Sequence, residues 1–164
     1  MSAATLQDLA NWLQPMLAAL QPAARRTLAG QIARELRRQN QATMRAQTSP
    51  DGEPWEARRK RIVGNRSPRS GAARARQRTG PMMVKLRQTR YLPTTASADA
   101  ATLTFAGRVL RIARVHHEGL VDRVAPGGPE HAYAARPLIG ISNTTADAIR
   151  ALVLAHLQAA AIGK

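Results

Sequence analysis

Residues 94–115 read Thr94-Thr95-Ala96-Ser97-Ala98-Asp99-Ala100-Ala101-Thr102-Leu103-Thr104-Phe105-Ala106-Gly107-Arg108-Val109-Leu110-Arg111-Ile112-Ala113-Arg114-Val115, and they decide the fold class. Thr94-Thr95, Thr102 to Phe105 and Val109 to Val115 are β-branched or alternating runs, separated by Ser97-Ala98-Asp99 and by Ala106-Gly107. That spacing predicts a three-stranded antiparallel meander. A two-stranded ribbon is marginal alone, so such a sheet needs a helix on one face or a strand from a neighbouring subunit.

Helical patterns lie on both sides, so the expected class is α+β. Thr5 caps a first helix in which Leu6, Leu9, Leu13, Met16, Leu17 and Leu20 recur at spacings of three and four, with a kink or break expected near Asn11 to Pro15. Pro22 starts a second helix at its first position, with Ala24, Leu28, Ile32 and Leu36 every four residues and arginines on the wetter faces. The two form an N-terminal helical hairpin over 1–48. Ser49-Pro50-Asp51-Gly52-Glu53-Pro54-Trp55 ends it with strong turn chemistry, and Trp55 is expected to dock on the hairpin rather than stack on a ligand. Downstream, Val121 to Glu130 with Pro126-Gly127-Gly128-Pro129 predicts a mobile loop. Ser142-Asn143-Thr144 offers caps for a C-terminal amphipathic helix bearing Ala148, Ile149, Leu152, Val153, Ala155 and Leu157 and closed by Gly163.

Between Glu56 and Asp99 there is no acidic residue, but twelve of the 25 Lys and Arg lie there. Like charges repel, and few apolar side chains are present to offset backbone entropy, so the block is solvated or meets an anionic surface or partner. It divides in two. The stretch 49–80 reads as a turn and an extended basic arm, whose Arg58, Arg59, Lys60, Arg61, Arg66, Arg69, Arg74, Arg76 and Arg78 are the candidates for binding a partner or an anionic surface. Pro81 to Leu92 suits a short amphipathic helix with Met82, Met83, Leu86 and Tyr91 on one face and Lys85, Arg87 and Arg90 outward. Residues 81–164 are then the α+β core.

Composition narrows the chemistry. The aromatic set is Trp12, Trp55, Tyr91, Phe105 and Tyr133, so the core must come from Ala, Leu, Ile and Val, and a thin core favours burial against neighbouring subunits. Without cysteine there is no disulfide, thiolate metal site or cysteine nucleophile. On a strand, the neighbours His116 and His117 point to opposite faces and do not share a metal. Gly127-Gly128 lacks the Lys and Ser or Thr of a phosphate loop, and nothing marks a nucleophile on a strained turn. No enzyme activity, cofactor or metal is expected. No stretch approaches the roughly 20 apolar residues of a membrane span, so a soluble, untargeted chain is expected. A formal charge of +15 would attract phosphates, and the alternative function is sequence-independent nucleic-acid binding through the Arg-rich segment, though no aromatic is interleaved there for base stacking.

Five segments in order carry a resemblance: Ser49 to Trp55, Met83 to Leu92, Phe105 to Val109, Ile112 to Leu120 and Tyr133 to Ser142. With Pro22-Ala23-Ala24-Arg25-Arg26, they resemble the landmarks of the virion morphogenesis, or tail-completion, family of contractile-tailed bacteriophages. His117 stands where that family usually has glutamine, and the loop at Pro126 to Pro129 varies. The resemblance implies a non-enzymatic virion protein at the head-proximal end of the tail, made in the host cytoplasm. It would complete or terminate the tail and help head-tail joining. Its implied partners are copies of itself, in a ring that a hexamer would match to tail symmetry, together with tail-tube, sheath or head-connector proteins. Non-specific contact with genomic DNA is the lesser expectation for the arm. Under this reading Asp51, Gly52, Trp55, His116, Gly119, Arg136, Pro137 and Gly140 are structural. Arg136 to Gly140 leads into the last helix, with Gly140 allowing a turn, and Gly119 turns the chain after the last long strand.

Overall fold

The computed structural model describes residues 21–57, 80–123 and 127–161, with only the backbone for 160 and 161. Its elements, in chain order, are α1 (Pro22–Ala46), a 3-10 turn (Thr89–Tyr91), β1 (Thr94–Ala96), β2 (Ala101–Leu103), α2 (Gly107–Glu118), β3 (Val121–Arg123), β4 (Glu130–Ala132) and α3 (Asn143–Ala161). Three helices and two antiparallel two-stranded sheets make an α+β fold among the described residues. The first predicted helix of the N-terminal hairpin and the closing Gly163 lie outside them.

The chain divides into two compact units. In the first, built from residues 21–39, 92–106 and 141–161 of the described chain, α1 opens on Pro22, whose missing N–H is no loss in a first turn. Its buried residues here are Ala29, Ala33 and Leu36, one stripe at spacings of four and three, while Leu28 and Ile32 beside it are half-buried. β1 and β2 pair as Thr94↔Leu103, Thr95↔Thr102 and Ala96↔Ala101. Ser97 makes the turn between them: its Oγ accepts from the amides of Asp99 and Ala100, and its own amide donates to Ala100 O at 2.8 Å. The helix cover that a short ribbon needs comes from α1, since a Cβ at Gly30 would lie 4.0 Å from Ala96 Cβ. α3 begins as its sequence predicts, with the Ser142 hydroxyl accepting the Thr145 amide at 3.2 Å.

The second unit holds residues 40–57, 80–91, 107–123 and 127–140. Here α1 ends at Ala46 because Gln47 takes a left-handed φ of 63°, and Thr48 N–H reaches back to Thr43 O at 3.1 Å, closing a Schellman turn. Ser49 to Trp55 then doubles back as a miniature hairpin, with Thr48 bridged to Pro54 and Gly52 at φ 91°.

Three sequence expectations are corrected. The third strand of the meander is α2: Val109 to Val115 coils, burying Ala113 and Val115 and leaving Arg108, Arg111 and Arg114 exposed at a spacing of three. Pro81 to Leu92 is not an amphipathic helix. Met83 adopts a φ of 59°, and the segment runs through mixed turn bonds into the 3-10 turn at Thr89–Tyr91, although Met82 and Leu86 are buried as expected. The predicted loop from Val121 to Glu130 is flanked by a ladder, with Val121↔Ala132, Asp122↔His131 and Arg123↔Glu130 in register. Residues 124–126 lie outside the description.

Candidate functional site

The densest set of long-range polar contacts in the second unit gathers on the segment Ala135 to Gly140. This stretch has no helix or strand of its own, so its backbone groups must find partners elsewhere. Arg136 N–H donates to His116 O at 2.7 Å, at the end of α2. The Pro137 carbonyl accepts the indole N–H of buried Trp55 at 3.1 Å. Leu138, fully buried, donates its N–H to His117 Nδ1 at 3.0 Å. Gly140 exchanges two bonds with the Asn40 side chain, its N–H donating to Oδ1 at 2.8 Å and its carbonyl accepting from Nδ2 at 3.0 Å. Each partner lies on α1, the Ser49–Trp55 turn or α2, so the strap is stitched to all three.

Two glycines set how close the strap can lie. A Cβ on Gly140 would stand 2.7 Å from Pro50 Cγ, inside any real contact distance. The requirement there is close approach to a proline ring, not the special turn expected from sequence. Gly119 is doubly constrained, by a φ of 73° and by Ala135 N, which would lie 2.7 Å from an added Cβ. It caps α2, its amide and that of Leu120 both returning to Val115 O at 3.0 and 2.9 Å.

Arg136 is the buried charge of the site, 7% exposed. Burying a guanidinium is costly unless its donors are met. Its Nε donates to Glu56 O at 3.0 Å, Nη1 to Ala134 O at 3.3 Å and Nη2 to Ala57 O at 3.5 Å. Glu56 and Ala57 are the last described residues before the basic block, which is therefore rooted at its N-terminal side by Arg136. On the other side, Gln47 holds Met82: its Oε1 accepts Met82 N–H at 2.5 Å and its Nε2 donates to Met82 O at 3.1 Å, while its own carbonyl accepts Trp55 N–H at 2.9 Å. One residue thus binds the chain on both sides of the Arg58–Arg78 segment, at Trp55 and at Met82.

Of the residues singled out in the sequence, Trp55, His116, Gly119, Arg136, Pro137 and Gly140 come together along the strap, with Gly52 in the adjoining turn and Asp51 exposed at its tip. The indole of Trp55 is buried, and its partner Pro137 O lies 82 residues further along the chain. The His116 ring meets Tyr133 edge-on at 4.9 Å, and Tyr133 meets His131 in the same way at 5.0 Å. Arg58, Arg59, Lys60, Arg61, Arg66, Arg69, Arg74, Arg76 and Arg78 all lie outside the described residues. Asn40 and Gln47 were not among the sequence candidates. Asn40 was legible in principle, as an amide on the buried stripe Ala33, Leu36, Asn40, Met44; Gln47 gives no local signal.

Among the described residues no three His, Asp or Glu side chains gather as a metal-ligand set, and no helix is long and apolar enough to cross a membrane. The site's chemistry is positional: it fixes backbone and presents the flanks of a cationic segment.

No solved structure matches the chain. It is 33% identical over 147 residues to tail completion protein S of Escherichia phage P2, an alignment that spans 89% of this chain and 93% of that protein. The sequence model of the phage virion morphogenesis family matches residues 4–158, a span that contains the whole strap and every residue that holds it. The chain belongs to the phage virion morphogenesis family.

Proposed function

We propose that this protein is a non-enzymatic structural component of the virion that completes the phage tail at its head-proximal end and helps join head to tail, acting as a ring. The observation that carries the proposal is the relationship to tail completion protein S, whose alignment spans 89% of this chain and 93% of that protein. Its partners are further copies of itself, with a hexamer matching tail symmetry, and tube, sheath or head-connector proteins. A closed ring repeats one heterologous interface by rotation, so each subunit must offer two different complementary surfaces. The fold supports such a role. Its contacts fix backbone rather than assemble reacting groups, and the acid-free block is tied at both described flanks, as suits a segment presented to a neighbour.

In this reading Arg58 to Arg78 docks on a neighbouring subunit or an acidic virion surface, with genomic DNA in the channel as a lesser contact. Deleting the gene from its phage should leave filled heads and tails that do not join, and supplying the protein in trans should restore infectious particles. Normal virions at normal yield without the gene would overturn the proposal. Light scattering on purified protein tests the ring directly, as a multiple of the 17.8 kDa chain mass.

A further inference from the structure

The second unit carries two charged surfaces of opposite sign, with no ion pair between them among the described residues. The first is built on Tyr91, over whose ring stand two guanidiniums, Arg90 at 4.7 Å and Arg108 at 4.9 Å from the centroid. One comes from the 3-10 turn and the other from the start of α2, and Arg90 Nε is further fixed on Gln88 Oε1 at 2.9 Å. Both arginines are exposed, and among the described residues neither pairs with a carboxylate. The second surface is the turn after α1. Of the ten acids, Glu35, Asp99, Glu118, Asp122, Glu130 and Asp147 are in ion pairs and Asp8 lies outside the description. The remaining three, Asp51, Glu53 and Glu56, are exposed together on six residues of chain, without an ion pair among the described residues.

Both surfaces are held in shape before any partner arrives. The acidic turn is braced by Ser49, whose amide donates to Glu53 O at 2.8 Å, whose Oγ accepts Glu53 N–H at 3.1 Å and whose carbonyl accepts Gly52 N–H at 3.0 Å. Stacking on Tyr91 does the same for the arginines. Ordered charges lose less entropy on binding than free side chains do, and the Tyr91 ring gives Arg90 and Arg108 that order.

We infer that the Arg90–Tyr91–Arg108 surface of one subunit receives the Asp51–Glu56 turn of the next copy. The inference rests on the ring proposed above and names the two unlike surfaces that its repeated interface requires. Exposed ion pairs set orientation and partner choice more than affinity, so this contact fixes the register of neighbours whose apolar contacts supply most of the hold.

The test uses charge exchange. Purified full-length wild-type protein should form rings by light scattering. Arg90→Glu with Arg108→Glu, and separately Asp51→Arg with Glu53→Arg and Glu56→Arg, should each raise the concentration for half-assembly roughly tenfold or more. Mixing the two variants one to one should restore rings, because each now matches only the other, and a misfolded variant could not be rescued in this way. Should a reversed variant lose its circular dichroism signal, Arg90→Gln with Arg108→Gln replaces it and must also weaken assembly. Wild-type rings with variants that assemble at the same concentration would overturn this pairing and leave the ring standing. Folded variants that fail to complement on mixing would also overturn it. So would intact rings combined with lost affinity for a DNA duplex, which would make the surface a phosphate contact. Wild-type protein that stays monomeric at every concentration would overturn both the ring and this inference.

Discussion

Asn40 is 2% exposed and spends both ends of its amide on the backbone of Gly140, a hundred residues away. Replacing it by Ala leaves the part-buried N–H and carbonyl of Gly140 without that partner, which should cost about 1–2 kcal/mol in urea unfolding at unchanged slope. Gly140→Ala presses on the same stitch from the other side. An added methyl would need the Pro50 ring to move, and a proline ring has little freedom to do so, so a loss of about 1–3 kcal/mol is expected. A thermal midpoint equal to wild type in either variant would show that the strap is not held there. His117 behaves differently, because what Leu138 N–H requires is an acceptor and not an imidazole. His117→Gln should therefore unfold at nearly the wild-type midpoint. His117→Leu should lose about 1–3 kcal/mol by stranding a buried donor.

At the scale of elements, α2 shows where sequence reading falls short. Val109 to Val115 is apolar and β-branched enough to pass for a strand, and Gly119 ends either element equally well. The discriminating signal was the spacing of three between Arg108, Arg111 and Arg114, which keeps all three wet only on a helix. The elements that were legible, α1, β1, β2 and α3, are those with a local start or stop: Pro22, Ser97 and the Ser142 cap. The strap was legible as a motif, through Trp55, Arg136, Pro137 and Gly140. Its partners were not, because Asn40 to Gly140 and Trp55 to Pro137 are contacts that no local pattern encodes.

The β3–β4 hairpin carries a pH dependence of definite sign. The Asp122 carboxyl is held below the ordinary aspartate value by the Arg123 N–H that donates to it, then by the Arg111 guanidinium and the nearby His116, with desolvation opposing. A carboxyl lowered in this way binds fewer protons folded than unfolded. Its contribution is in place above the unfolded pKa of about 4 and fades as the pH falls through the folded value. Amide exchange across Val121–Arg123 and Glu130–Ala132, corrected for its intrinsic pH dependence, should lose protection below about pH 4. Asp122→Asn should remove that acid step. A protection profile with the same step in wild type and variant would assign it to other groups.

At the scale of the whole molecule, the question is whether the acid-free block acts as protein dock, DNA contact or spacer. Net charge does not decide it, because +15 attracts any anion. Anchoring does bear on it: Arg136 grips the backbone at Glu56 and Ala57, and Gln47 grips Met82, so the described residues on either side of Arg58–Arg78 are held in place. A bare spacer needs no such grip, whereas a docking segment gains from having its ends fixed, since less freedom is then lost on binding. If the block docks in this way, Arg74→Glu with Arg76→Glu and Arg78→Glu should keep the subunit's thermal midpoint close to wild type. The same protein, supplied in trans to a phage lacking the gene, should fail to restore head-tail joining. If joining instead tracks affinity for a DNA duplex, with a log-log salt slope that falls by roughly one for each arginine lost, the block is a phosphate contact. Normal virions from the triple variant would make it a spacer, and the grip of Arg136 and Gln47 would then serve the fold alone.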